Sequence, residues 1–155
     1  MSAHNQSENK RAGEYVTMTI GGQLFGLPIR QVHDVFMPSR MTKVPLAPPE
    51  IAGILNLRGR IVTVIDMRCR LGLPQRDDGA PMAVGIDCDG ESYGLLVDAV
   101  GEVMQLADDS CQPTPVNLDR RLAAVAAGVY RVGDQLLVVL DVGRLLDMHA
   151  NPMAA

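Results

Sequence analysis

Val16, Met18 and Ile20 alternate with Thr17 and Thr19, the period of two that marks a strand with one buried face. Gly21-Gly22 follows as a hairpin turn, and Phe25, Leu27 and Ile29 continue one apolar face on the returning strand. A third strand is expected from Val32 to Met37. Pro38 to Pro49 is rich in proline and predicts an extended connection, with "PPEIAG" able to close one short helical turn. "GILNLRGRIVTVID" (Gly53 to Asp66) predicts two apolar strands around a tight turn. Asp66 is placed to cap the short helix of "MRCRLGLP", which Gly72 and Pro74 end. Beyond the polar linker "PQRDDGAP", the segments "MAVGIDC" and "ESYGLLVDAV" flank an Asp89-Gly90 turn. Further strands are expected in "EVMQL" and "AGVYRV". Gly133-Asp134 turns a last hairpin into "LLVVLD" and a terminal helix, "VGRLLDMH". Short strands, tight turns and few helices predict small β-barrels rather than a parallel α/β sheet.

The pattern occurs twice. Phe25 to Phe36 aligns without gaps on Tyr93 to Met104, with Gly26, Leu27, Val32 and Val35 identical to Gly94, Leu95, Val100 and Val103, an offset of 68 (94 − 26). Gly53 to Leu71 aligns on Gly128 to Leu146 at an offset of 75 (128 − 53), so the second copy has a longer middle loop, within Asp108 to Ala126. The chain is therefore read as two similar β-units in tandem. Each has about 65 residues, too few to be robust alone, so the two are expected to pack together. Asp66 and Asp141 stand at equal positions, which makes both N-caps. By contrast Asn56 faces Arg131, Arg58 faces Gly133 and Gly59 faces Asp134. The second copy makes the same hairpin without an arginine at the turn, so the fold of such a unit does not require Arg58.

Composition narrows the function. The 155 residues are 47% apolar and 21% charged, the balance of a soluble globular chain of one domain or two very small ones. No apolar run approaches the roughly 18 residues of a membrane span. Residues 1–13, "MSAHNQSENKRAG", lack the apolar stretch of a secretory signal and read as a disordered arm, with residues 148–155 a flexible end. A cytoplasmic protein without membrane insertion is expected. Net charge of −4 and 3% aromatics argue against nucleic acid. "RGRIVTVIDMRCR", with Arg58, Arg60, Arg68 and Arg70, is the one segment that suits a basic nucleic-acid edge; a solvated strand face explains it as well.

Candidate chemistry is sparse. Cys69, Cys88 and Cys111 form no C-x-x-C pair, and Cys88 alternates with Met82, Val84 and Ile86 as a buried strand residue would. His4 and His149 lie near the ends, and His33 falls on the exposed face of its strand. Nucleophile-elbow, phosphate-loop and dinucleotide motifs are missing. Asp77-Asp78-Gly79, Asp87 and Asp89-Gly90 lack the spacing and terminal Glu of a calcium loop and read as turn residues. Neither catalysis nor a cofactor nor a metal is expected; a binding or scaffolding module is.

At this point "GILNLRGRIVTVIDMR", "FGLPIRQVHDV" and "YGLLVDAVGEV" identify a likeness: from about Glu14 to Asp147 the chain resembles the CheW family, adaptors that couple bacterial chemoreceptors to a histidine kinase. The resemblance implies two SH3-like five-stranded barrels side by side with a short C-terminal helix. The unit boundaries expected are 14–74 and 81–147, with an exchange of elements with 128–147 left open. It implies a non-enzymatic, cofactor-free adaptor recruited to membrane receptor arrays, with no room for an ATP-binding or receiver domain. One end of the first barrel would bind the kinase's regulatory domain, itself CheW-like, and a groove between the barrels would bind the receptor's helical tip. The family's N-L-R-G arginine falls on Arg58 and its acidic residue on Asp34, where Asp in place of the common Glu leaves their direct contact open. Val32, Ile29, Asn56 and Gly53 complete the candidate protein-binding set. An adaptor of the same fold serving surface motility or gene expression is the alternative, and a nucleic-acid-binding barrel a third.

Overall fold

The run LLVVL has no polar face because its strand is covered on both sides: Val138 and Leu140 enter one core, Leu137 and Val139 another. The computed structural model describes residues 13–75, 80–107, 111–112 and 118–147. Among them the chain forms β1 (Gly13–Ile20), β2 (Gln23–Pro28), β3 (Val32–Phe36), β4 (Ile51–Leu57), β5 (Arg60–Asp66) and helix α1 (Met67–Arg70). There follow β6 (Met82–Cys88), β7 (Glu91–Val97), β8 (Ala99–Leu106), β9 (Cys111–Gln112), helix α2 (Arg120–Val125), β10 (Ala126–Val132), β11 (Gln135–Leu140) and helix α3 (Val142–Leu145).

The duplication reappears element by element: β1 to β5 and α1 recur as β6, β7, β8, β10, β11 and α3. The sheets, however, do not follow the two sequence halves. One runs β8-β1-β2-β11-β10-β9, the other β3-β6-β7-β5-β4. Each takes the opening hairpin of one half and the last three repeated strands of the other, a reciprocal exchange. The halves join in parallel where β11 lies beside β2 and β5 beside β7. A cut between 74 and 81 therefore separates the repeats but runs through both sheets. The short β9, from the longer middle loop of the second half, adds a sixth strand beyond β10.

Both sheets curl until strands far apart in their order meet. Phe36 on edge strand β3 packs with Ala52, Leu55 and Leu57 on the opposite edge β4. Leu106 on edge strand β8 shares a cluster with Tyr130 and Val132 of β10. These are the two barrel interiors, and both are small. The largest core lies between the barrels, where Val16, Met18, Ile20, Phe25 and Leu27 of one sheet meet Ile65, Val84, Ile86, Leu95 and Val97 of the other. In β1, even positions serve this shared core while Tyr15 faces the barrel interior. Buried Thr17 is satisfied there by donating to the Glu102 carbonyl at 2.7 Å.

Both caps are in place. Asp66 Oδ1 accepts from the Cys69 N–H, and Asp141 Oδ1 from the Arg144 N–H, each at 3.2 Å. Several expectations need correction. Ile29 does not extend β2: Pro28 ends the strand, and Ile29–Gln31 forms a 3-10 turn. "PPEIAG" gives a single turn closed by Ile51 N–H on the Pro48 carbonyl, with no helix, before β4 begins. Cys69 and Cys88 are half-buried and Cys111 is exposed. The middle loop contains α2, which its polar flanks did not reveal. Residues 1–12, 76–79, 108–110, 113–117 and 148–155, with His4, Asp77, Asp78, Gly79, part of the middle loop and His149, lie outside the described residues.

Gly53 carries a specific constraint. Thr42 and Ile54 exchange two backbone hydrogen bonds of 2.8 Å, tying the proline-rich connection to β4. A Cβ at Gly53 would lie 2.8 Å from the Thr42 carbonyl oxygen, whereas one at its counterpart Gly128 would meet only the Tyr130 ring, at 3.7 Å. Gly53→Ala is expected to destabilise by about 1–3 kcal/mol, with Gly128→Ala neutral or stabilising, in urea denaturation. Equal losses at the two positions would refute the contrast. In the same assay Asp66→Ala and Asp141→Ala should each cost about 1 kcal/mol.

Candidate docking site

Leu57 pairs with Arg60, which leaves Arg58 and Gly59 as a two-residue turn. Their φ angles of 54° and 84° give it the twist of a type I′ hairpin, in which both central residues are left-handed. Such turns favour Asn-Gly or Asp-Gly, and the Asp89-Gly90 turn obeys that preference. An arginine held at positive φ costs about 1 kcal/mol. Asn56 supports the strained turn, its Oδ1 accepting from the Gly59 N–H at 2.9 Å. Asn56 thus has a structural task, and Arg58 is carried outward at the tip of the barrel.

The expected partner meets it there. Arg58 Nη2 lies 3.1 Å from Asp34 Oδ2, with the arginine side chain 74% exposed and the aspartate 24%. Asp is long enough because β3 is bulged between Val32 and Asp34, and Asp34 stands opposite Gly85 of β6. A Cβ at Gly85 would fall 2.5 Å from Asp34 Oδ1, so the glycine provides the room in which the carboxylate lies. So exposed a pair contributes only about 0–1 kcal/mol to stability. Its effect is to orient a planar guanidinium whose remaining N–H groups face outward.

Beneath Arg58 a cleft of about 120 Å³ is lined by His33, Asp34, Arg60, Asp87 and Tyr93 among others. Asp87 is its hub: it contacts His33 Nε2, accepts from the Ser92 hydroxyl at 3.1 Å and faces Arg60 Nη2 at 3.5 Å. Desolvation pushes the Asp87 carboxyl up, but the Ser92 hydrogen bond, His33 and Arg60 outweigh it and hold the group below its ordinary pKa. Burial, then the hydrogen bond to Glu91, pushes the Tyr93 phenol up to about 12. Across the neutral range this face therefore presents a fixed aspartate charge and a protonated phenol.

Asp87 also lines a second, larger space. A groove of about 490 Å³ runs between the two sheets past Pro28, Gln31, Gly128, Tyr130 and Gly143. The Tyr15 and Tyr130 rings, 5.9 Å apart, help to wall it. Cleft and groove thus share Asp87 and form one continuous face. Ile29 belongs to the 3-10 turn beside Pro28 and is 40% exposed, although its counterpart in the second half, Val97, is 2% exposed.

The remaining candidates serve the scaffold. Val32 pairs with Ile86 and packs on the shared core, and Gly53 lies under the Thr42 backbone. The four arginines do not form a basic strip: Arg58 faces Asp34, Arg60 faces Asp87, Arg68 closes on Asp98, and Arg70 donates to the carbonyls of Leu145 and Arg144. Gly85 and Asp87 escaped the sequence reading. The Asp87–Ser92 pairing was available from the two-residue Asp89-Gly90 turn; the approach of His33 from another strand was not.

The CheW-like domain family matches residues 14–150 of this chain. A probable chemotaxis protein CheW of Rhizobium etli is 29% identical over 149 residues, covering 94% of either chain. The chemotaxis protein CheW of Bacillus subtilis is 25% identical over 150 residues, covering 96% of either. The crystal structure of the scaffolding protein TtCheW from Thermoanaerobacter tengcongensis superposes with a TM-score of 0.78 at 31% identity, over 88% of this chain and 94% of that one. With the barrels, the duplicated strands and the N-L-R-G turn of one design, the chain belongs to the CheW family, the scaffold proteins of chemotaxis.

Proposed function

We propose that this protein couples chemoreceptors to a chemotaxis histidine kinase, and that the face running from Arg58 through Asp87 into the groove between the sheets receives the helical tip of the receptor. The observation that carries this reading is the continuity of that face. A strained, outward-held arginine stands at one end, and an open groove of about 490 Å³ with both apolar and polar lining stands at the other. A polar rim beside a partly apolar groove fits a partner that must bind and yet respond to signals.

A second surface suits the kinase's regulatory domain. The connection after β3 leaves Met37 and Met41 in solvent, and Leu46 is fully exposed with its backbone at a φ of 65°. Exposed apolar groups clustered in one connection suit a contact surface, and none of them lines the groove. Among the described residues no helix is long and apolar enough to cross a membrane, so recruitment to an array would run through these partners.

Arg58→Gly separates docking from folding. Relief of the left-handed strain offsets loss of the exposed pair, so stability should stay within about 1 kcal/mol of the parent by urea denaturation. Affinity for a receptor cytoplasmic hairpin fragment should fall by about tenfold or more in titration calorimetry. A collapse of stability would assign Arg58 to the scaffold, and unchanged affinity would remove it from the interface. Gly85→Ala should weaken the same binding by displacing the Asp34 carboxylate, and should add little further loss once Asp34 is replaced by Ala. Failure of the unaltered chain to bind either hairpin fragment or kinase regulatory domain at micromolar concentration would overturn the coupling role.

A further inference from the structure

The duplication gives the molecule two equivalent seams between its sheets, and they differ. At the first, α1 meets the β1–β2 hairpin and the β7–β8 corner. Arg68 reaches from α1 to Asp98 with two hydrogen bonds of 3.0 and 2.7 Å, and also donates to the Pro74 carbonyl at 2.6 Å. Asp98 accepts the Gly21 N–H of the hairpin at 2.8 Å as well. Both side chains are 15% exposed, so this seam is shut. Leu73 fills the space over Gly21, where an added Cβ would lie 2.7 Å from its methyl carbon.

At the second seam the same offsets put Gly143 in the place of Arg68, Arg30 in that of Asp98 and Ile29 in that of Val97. The seam is open, and it is the groove of about 490 Å³. Nothing in the backbone asks for glycine at Gly143. Its φ is not left-handed, and the nearest atom to an added Cβ would be Asp141 Oδ1 at an ordinary 3.4 Å. Glycine within a helix is a poor choice, and in a strand it often marks the close approach of a ligand or another chain. Gly128, on the strand beneath, is equally free of steric need and lines the same groove. Arg30 is exposed and, among the described residues, makes no hydrogen bond or ion pair, unlike the fully engaged Asp98.

We infer that Gly143 keeps the second seam open for a partner helix, and that this helix brings a carboxylate to Arg30, restoring with reversed polarity the ion pair that shuts the first seam. The inference rests on the docking reading above and adds to it a residue that sets access and the charge of the occupant. Arg30, exposed in the chain between the groove-lining Pro28 and Gln31, supplies the charge complementarity; Gly128 and Gly143 supply the depth to which a helix backbone can settle.

The test uses the full chain and a receptor cytoplasmic hairpin fragment. Gly143→Ala should melt at or above the parent temperature and yet bind the fragment several-fold more weakly, a divergence that a structural role for the glycine would not give. Gly143→Glu, which sets a carboxylate opposite Arg30 from within, should shut the seam and weaken binding by at least about tenfold. Arg30→Glu should weaken it by about tenfold and reduce its sensitivity to salt. A lowered melting temperature in Gly143→Ala, or parental affinity in both Gly143 variants or in Arg30→Glu, overturns the inference. If Arg58→Gly still loses binding in those cases, the coupling role stands without it. If the parent chain binds no fragment, both readings fall.

Discussion

The rest of the structure depends on the apolar core between the two barrels. Each barrel interior is a small cluster, with Leu55, Val62 and Val64 at the centre of one and Leu106, Leu137 and Val139 at the centre of the other. Domains of such size bury too little surface to stand alone. The reciprocal exchange of opening hairpins resolves this, because strands β1, β2, β6, β7 and β11 are covered on both faces and all contribute to the shared core. Neither sequence half can leave without breaking parallel strand pairs in both sheets. The groove at the junction of the sheets and the exposed connection after β3 are thereby held in one geometry.

The elements were legible because they are dictated locally. Alternation in β1, two-residue turns at Gly21-Gly22, Asp89-Gly90 and Gly133-Asp134, and aspartate caps at Asp66 and Asp141 each follow from nearest-neighbour chemistry. The repeat was legible too. The partition of strands between sheets was not, because β2 beside β11 and β5 beside β7 are pairings across more than a hundred and about thirty residues, respectively, that no local signal encodes. Ile29 shows the same limit at the scale of one residue: its spacing continues the apolar face of β2, but Pro28 diverts the chain, and Ile29 stands at the open seam whereas its twin Val97 is covered at the shut one.

Of the candidate set, the pairing of Arg58 with Asp34 was legible as a motif, but whether the shorter acid could reach was not. Gly85 settles that doubt by clearing the space above β6, a contact between strands whose meaning lies in three dimensions. Asn56 was chosen for the same turn and belongs to its backbone. Val32 and Gly53 stand at motif positions whose surroundings are packing: the shared core for one, the Thr42 backbone for the other.

A duplicated fold also supplies its own control. Wherever both halves keep a residue type, as at Asp66 and Asp141, a structural reason is at hand in each. Where they diverge, the structure diverges with them: arginine against glycine at the turn tip, glycine against arginine at the seam, exposed isoleucine against buried valine at the corner. The left-handed arginine is the most telling of these. Glycine at position 133 relieves the equivalent turn of strain, so the fold had a cheaper solution at hand and uses it where no guanidinium is needed. Strain of about 1 kcal/mol is small against the stability of a domain, and the Asn56 hydrogen bond to Gly59 and the exposed pair with Asp34 do no more than offset it. Arginine thus gains the fold nothing over glycine at this turn, which is the ground for the docking role proposed for Arg58.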